Sequence, residues 1–316
     1  MEENAKEMRE VPAAAEYRNQ VRRTGSILGW SLALLSGLTL VLGILMQLYL
    51  PFPDWFYGGG AELVCYALIL PLMNTILAKA PELRTERKKM RIRKFLLFFV
   101  LAQGFGTLFN LAGNLVNFFF ASLTGRESFG MNPVNGMLEQ MDVLTVFYVC
   151  FFGPVIEEYI FRWKLLNRLR PYGEKAAILY TALMFGLMHG NLTQFLYAAA
   201  IGVILGYMAV KTGRMLYNCL LHILINSCSM ALAAILLSGG PLSILLSFGS
   251  LIVMLAEIVA ALVLFLVFWK ETTLLPGEWP VGVTGRAVAS ALYCNPGTIA
   301  FFLLSLAMML YYLFLA

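Results

Sequence analysis

The chain has 316 residues, of which 60% are hydrophobic and 13% charged, with a mean hydropathy of +0.76. That composition excludes an ordinary soluble domain and indicates a polytopic membrane protein. The net charge of +5 does not argue for a nucleic-acid partner, because the basic residues cluster between apolar runs, as topology signals do.

Residues 1–25 are polar and read as a disordered cytoplasmic terminus, held inside by Arg18, Arg22 and Arg23 beside the first span. This stretch is too long for the n-region of a signal peptide, so residues 27–50 read as a retained span. The loop 51–60 carries Asp54, Trp55 and Tyr57 without Lys or Arg, as an outer loop should, and residues 61–78 return. Between Lys79 and Lys94 lie eight basic residues, which marks that loop as cytoplasmic. Residues 95–123 cross outward with a polar line, Gln103, Thr107, Asn110, Asn114 and Asn117, at steps that keep one helical face. This face is expected to avoid lipid, through amide-mediated helix packing rather than as a substrate groove. The outer loop 124–142 has one basic residue, Arg126, against Glu127, Glu139 and Asp142.

Residues 143–169 descend to Arg168 and Arg170, where Pro171 and Gly173 stop the helix. Further spans follow over 176–189, 192–210, 215–237, 242–269 and 298–316. The expected fold is therefore all-α, a bundle of about nine transmembrane helices (eight to ten), with residues 26–316 forming one membrane domain around a core at 143–229. Gly202 and Gly206 form a small-xxx-small pair suited to helix packing. The five cysteines, Cys65, Cys150, Cys219, Cys228 and Cys294, show no metal-type spacing and read as free thiols.

Charge inside an apolar run is costly and tends to mark function. Three spans carry such groups: Glu157, Glu158 and Arg162 on the first, His189 on the second, His222 and Asn226 on the third. With a rise of about 1.5 Å per residue, Glu157 stands roughly 17 Å above the cytoplasmic boundary, His189 about 21 Å, His222 about 12 Å and Asn226 about 18 Å. All lie near the middle of a hydrocarbon core about 30 Å thick, so they can meet. Glu158 and Arg162, at i and i+4, suit an ion pair, while Glu157 points about 100° away and is left for chemistry. Gly153 and Pro154, one turn earlier, would bend the helix and admit water.

The chemistry these residues suggest is amide hydrolysis inside the membrane. Glu157 and His189 would polarise a water, and His222 and Asn226 would donate to the developing oxyanion. Zinc held by Glu157, His189 and His222 is the runner-up, against which stand the missing His-Glu-x-x-His signature and the poor ligand quality of Asn. A purely structural polar cluster and a proton-coupled transporter also place polar groups at mid-membrane.

Glu157-Glu158-Tyr159-Ile160-Phe161-Arg162, Phe185-Gly186-Leu187-Met188-His189 and His222-Ile223-Leu224-Ile225-Asn226 resemble the three motifs of the CPBP family, E-E-x-x-x-R, F-x-x-x-H and H-x-x-x-N. That family is the CAAX-prenyl-endopeptidase and bacteriocin-processing (Abi) group of intramembrane proteases. The resemblance covers residues 143–229 and implies endoproteolysis of a membrane-embedded or lipidated peptide or protein. It implies water activation by Glu157 and His189, oxyanion support from His222 and Asn226, and supporting places for Glu158, Arg162 and Phe185. Members are commonly labelled metalloproteases, so zinc or another divalent metal stays the alternative cofactor. Bacterial relatives are tied to bacteriocin immunity or peptide maturation, and a bacterial plasma membrane with a cytoplasmic N-terminus is the expected location.

Overall fold

The computed structural model describes residues 14–57, 59–83, 85–125, 127, 142–237 and 240–315. Its main helices are α1 (Ala14–Tyr49), α2 (Gly60–Leu77), α3 (Ile92–Thr124) and α4 (Val143–Tyr172). After these come α5 (Glu174–Met188), α6 (Leu192–Thr212), α7 (Met215–Leu237), α8 (Gly240–Phe268), α9 (Gly285–Tyr293) and α10 (Pro296–Phe314). Eight of the described helices are long and apolar enough to cross a membrane, so the chain is a polytopic helical bundle. The remaining expected span, 176–189, is α5. Its 15 residues cover only about 22 Å of a core about 30 Å thick. Helix α5 and helix α6 form a hairpin whose tip reverses at Gly190, with φ +65°. A glycine adopts this left-handed conformation without the Cβ penalty other residues carry.

Helix α1 starts earlier than its polar sequence suggests. The stretch 14–25, expected to be disordered, is helical, because Tyr17, Val21, Thr24 and Leu28 recur at helical spacing and are buried. The Tyr17 ring meets Tyr172 edge-on at 5.8 Å, and Thr24 Oγ1 shares a 2.9 Å hydrogen bond with the Tyr172 hydroxyl. Residues 1–13 lie outside the described residues, as does most of the loop 124–142. The last span, α10, packs along α1, where Gly29 lies directly on the Gly297 backbone and a Cβ on either glycine would collide.

The basic segments gather at one end of the bundle. Loop 79–94 is tied to the end of α4 by Leu83 N–H donating to Asn167 O at 3.1 Å and by the Arg168–Glu82 ion pair at 2.8 Å. Lys88 N–H donates to Thr212 O at 2.7 Å, which brings the end of α6 to the same level. Glu174 pairs with Arg170 at 3.0 Å and Lys211 at 3.5 Å, and accepts from Leu275 N–H at 3.0 Å. Residues 270–286 are therefore a strap across the basic end. Their common end is what the charge pattern anticipated for loops on one side of a membrane.

The polar line of α3 divides. Asn117 donates to Thr193 of α6 at 2.7 Å and Thr107 to Glu257 of α8 at 3.4 Å, as helix packing requires, whereas Asn110 and Asn114 are exposed and bond to each other. Close approach on α3 comes instead from Gly104 against α8 and Gly113 against Thr193. Gly202 and Gly206 pack on Ala182 and Ile178 of α5, the role their spacing suggested. All five cysteines are free, with Cys294 exposed.

The helix that carries the charged cluster, α4, starts from a built cap. Asp142 accepts from Leu144 N–H at 2.7 Å, Thr145 N–H at 3.0 Å and the Thr145 hydroxyl at 2.6 Å. The Thr145 hydroxyl first, then the Thr145 N–H, hold the Asp142 carboxyl below the usual range. Stabilisation of this kind is full above the unfolded Asp value and is lost as pH falls through the lowered folded one. Asp142→Ala is thus expected to cost about 1 kcal/mol, and its deficit against wild type should shrink when melts in detergent are moved from about pH 7 to about pH 3. A gap of the same size at both would contradict the cap.

Candidate active site

Helix α4 is not one regular spiral. It runs α-helical over Val143–Phe147, widens to a π turn over Tyr148–Phe152, returns to α over Gly153–Glu158, and widens again over Tyr159–Leu166. Pro154 accounts for the first change. In a π turn each N–H reaches five residues back, as Gly153 N–H does to Tyr148 O. The next carbonyl, Val149 O, would need the N–H of Pro154, which proline lacks. The Asn226 side-chain amide of α7 takes its place, donating to Val149 O at 2.9 Å. A buried carbonyl left unpaired would be unfavourable, so the proline and the asparagine belong together. Glu157 and Glu158 lie between the two widened segments, where such distortions frequently accompany function.

His222 of α7 sits between both glutamates. Its Nδ1 is 3.0 Å from Glu158 Oε1 and its Nε2 is 3.6 Å from Glu157 Oε2. The carboxylate of Glu158 accepts at Nδ1, so hydrogen-bond logic puts a proton there and turns Nε2 toward Glu157. Glu158 is fully buried, with Arg162 Nε at 3.3 Å from its other oxygen, the i and i+4 pair that helical spacing suggested. Asn218, one turn before His222 on the same face, donates to Leu205 O at 2.7 Å and lies against Glu158. The Arg162 guanidinium rests on the Phe185 ring at 4.7 Å, and among the described residues its terminal nitrogens have no hydrogen-bond acceptor. Glu157 differs from Glu158 in keeping a 17% exposed side chain.

Phe185 links the second motif to the other two. Its ring meets His189 at 5.1 Å, His222 at 5.7 Å and Phe161 at 5.1 Å, all edge to face. His189 stands at the C-terminal end of α5, half buried, with Nδ1 2.9 Å from the carbonyl of Phe185. This contact leaves Nε2 as its outward nitrogen. Asn191 then caps α6, accepting from Gln194 N–H at 2.9 Å and donating to His189 O at 3.0 Å.

The structure thus draws Glu157, Glu158, Arg162, Phe185 and His222 into one contact network and attaches His189 through Phe185. Asn226 joins through the backbone of α4. Sequence reasoning set Glu157 with His189, and the imidazole of His222 also meets Glu157, at 3.6 Å. Asn218 was missed, although its place four residues before His222 was a readable signal. Glu62 of α2 was missed too. It accepts a hydrogen bond from the Tyr148 hydroxyl and lies within electrostatic reach of Glu157.

Residues 139–228 match the family described as Type II CAAX prenyl endopeptidase Rce1-like. The matched segment carries all three motifs, and its similarity to that family supports an intramembrane endopeptidase in general terms. No curated protein and no solved structure matches the chain.

Proposed function

We propose that the chain hydrolyses a peptide bond of a membrane-embedded or lipidated peptide or protein, with Glu157 as general base. The observation that carries this reading is the unequal treatment of two adjacent carboxylates by one imidazole. Glu158 is sealed and engaged by Arg162 and His222. Glu157 meets His222 only at 3.6 Å and remains partly open, a separation that suits a bridging water better than a direct bond.

In the proposed reaction Glu157, with His189, takes a proton from water as its oxygen attacks the substrate carbonyl carbon. A tetrahedral oxyanion forms. A proton on His222 Nε2 can be donated to it, and Asn226 retains a second amide hydrogen beyond the one given to Val149 O. The proton on Glu157 then passes to the departing amine nitrogen as the C–N bond breaks, which frees a carboxylic acid and an amine and returns the base. Glu158, Arg162 and Phe185 hold His222 in place.

The arrangement of donors supports the metal-free reading. Among the described residues no three His, Cys, Asp or Glu side chains are grouped to hold a metal ion, and no step here needs one. Protein extracted with a strong chelator and reconstituted in liposomes is expected to cleave a membrane-anchored peptide at the untreated rate. Loss of cleavage that added zinc restores would overturn the metal-free reading.

A further inference from the structure

Glu62 is a carboxylate in an apolar helix that the reaction above does not use. Its place in the first turn of α2 suits the helix dipole, but the dipole does not explain its partner. That partner, Tyr148, belongs to the π turn of α4 and donates its hydroxyl to Glu62 Oε2. The backbones approach closely here, since a Cβ on Gly59 would come within 2.6 Å of the Tyr148 Cβ. The Tyr148 ring passes over Gly153, with Cζ 3.9 Å from where a Cβ would sit. Gly153 is one turn before Glu157 on the same helical face. Tyr66, one turn after Glu62, also lies against Tyr148, and Glu157 is within electrostatic reach of all three. The π turn therefore has two side-chain anchors. Asn226 holds its Val149 carbonyl from α7, and Glu62 holds its Tyr148 hydroxyl from α2.

We propose that Glu62 is a positioning residue of the site, acting through Tyr148 to fix the π turn from which Glu157 is presented to His222. This rests on the proteolytic reading for its purpose but not for its test. A π turn interrupted by proline has fewer backbone bonds to define it than a regular helix, so external anchors set where the next turn points. Loss of the Glu62 anchor would let the Glu157 carboxylate drift from Nε2 while the sealed Glu158–Arg162 pair stays.

The chain has two histidines, so selective ¹⁵N-imidazole labelling gives two sets of resonances, and His189→Gln assigns which set is His222. In full-length protein in liposomes, Glu157→Gln should shift the His222 Nε2 resonance. Glu62→Ala, which removes the acceptor, and Tyr148→Phe, which deletes only the hydroxyl, should each shift it in the same sense, with His222 Nδ1 little changed. Glu257→Gln, which alters the carboxylate beside Thr107 between α3 and α8, should leave both imidazoles as in wild type. His222 signals of wild-type position in folded Tyr148→Phe, or an equal shift in Glu257→Gln, would overturn the proposal. The readout needs no substrate, so it can fail while proteolysis stands, and absent proteolysis leaves it intact.

Discussion

Glu157→Gln is expected to lose cleavage by about 10²- to 10⁴-fold, the usual contribution of a positioned general base, while melting within a few degrees of wild type. The amide keeps the shape of the carboxylate, but it cannot take a proton from water. Because Glu157 is 17% exposed and the His222 imidazole stands 3.6 Å away, its replacement strands no sealed counter-charge. Initial rates on a membrane-anchored peptide in liposomes, beside melts of the same preparations, separate the two effects. A variant that cleaves at the wild-type rate would remove Glu157 from the chemistry. His222→Gln is less clean, since it also deprives the buried Glu158 of a donor.

The second large effect is on stability. Glu158 and Arg162 are 0% and 1% exposed, with Nε and Oε2 3.3 Å apart. Removing one partner leaves the other charge uncompensated in low dielectric, which typically destabilises by about 3–5 kcal/mol. Arg162→Met should therefore unfold at markedly lower temperature than wild type in the same detergent. Glu158→Gln should do the same, because it also weakens the acceptor of His222 Nδ1 and the neighbour of Asn218. The double replacement Glu158→Gln with Arg162→Met should recover part of the loss, since no isolated charge then remains. A double variant that loses the sum of the two single losses would contradict a direct pair.

Much of this site is legible in the primary structure because a membrane makes charge conspicuous. Glu157, Glu158, Arg162, His189 and His222 stand out against apolar neighbours, and counting residues from the basic boundaries set them at a shared depth. The i and i+4 spacing also anticipated the Glu158–Arg162 pair, even though the helix widens around it. What spacing could not convey is the π geometry of α4. That geometry depends on a proline in one helix and an amide donor 72 residues later in another, Pro154 and Asn226. Both glutamates reach His222 although a regular step turns them about 100° apart, because they meet different nitrogens of its ring, Glu158 at Nδ1 and Glu157 at Nε2. Glu62 escaped notice for a different reason. An acidic residue in a first helical turn is ordinary, and only the tertiary contact with Tyr148 gives it a further meaning. The early start of α1 was hidden because its buried residues, Tyr17, Val21 and Thr24, are interleaved with charged ones that face outward.

The central claim is that the three motifs form a working hydrolytic site. Its most direct test is comparative peptidomics of membranes from cells producing wild-type protein or the Glu157→Gln variant at equal levels. New peptide termini should appear with the wild type and be missing with the variant. Indistinguishable sets of termini, with both proteins folded and membrane-inserted, would contradict the account.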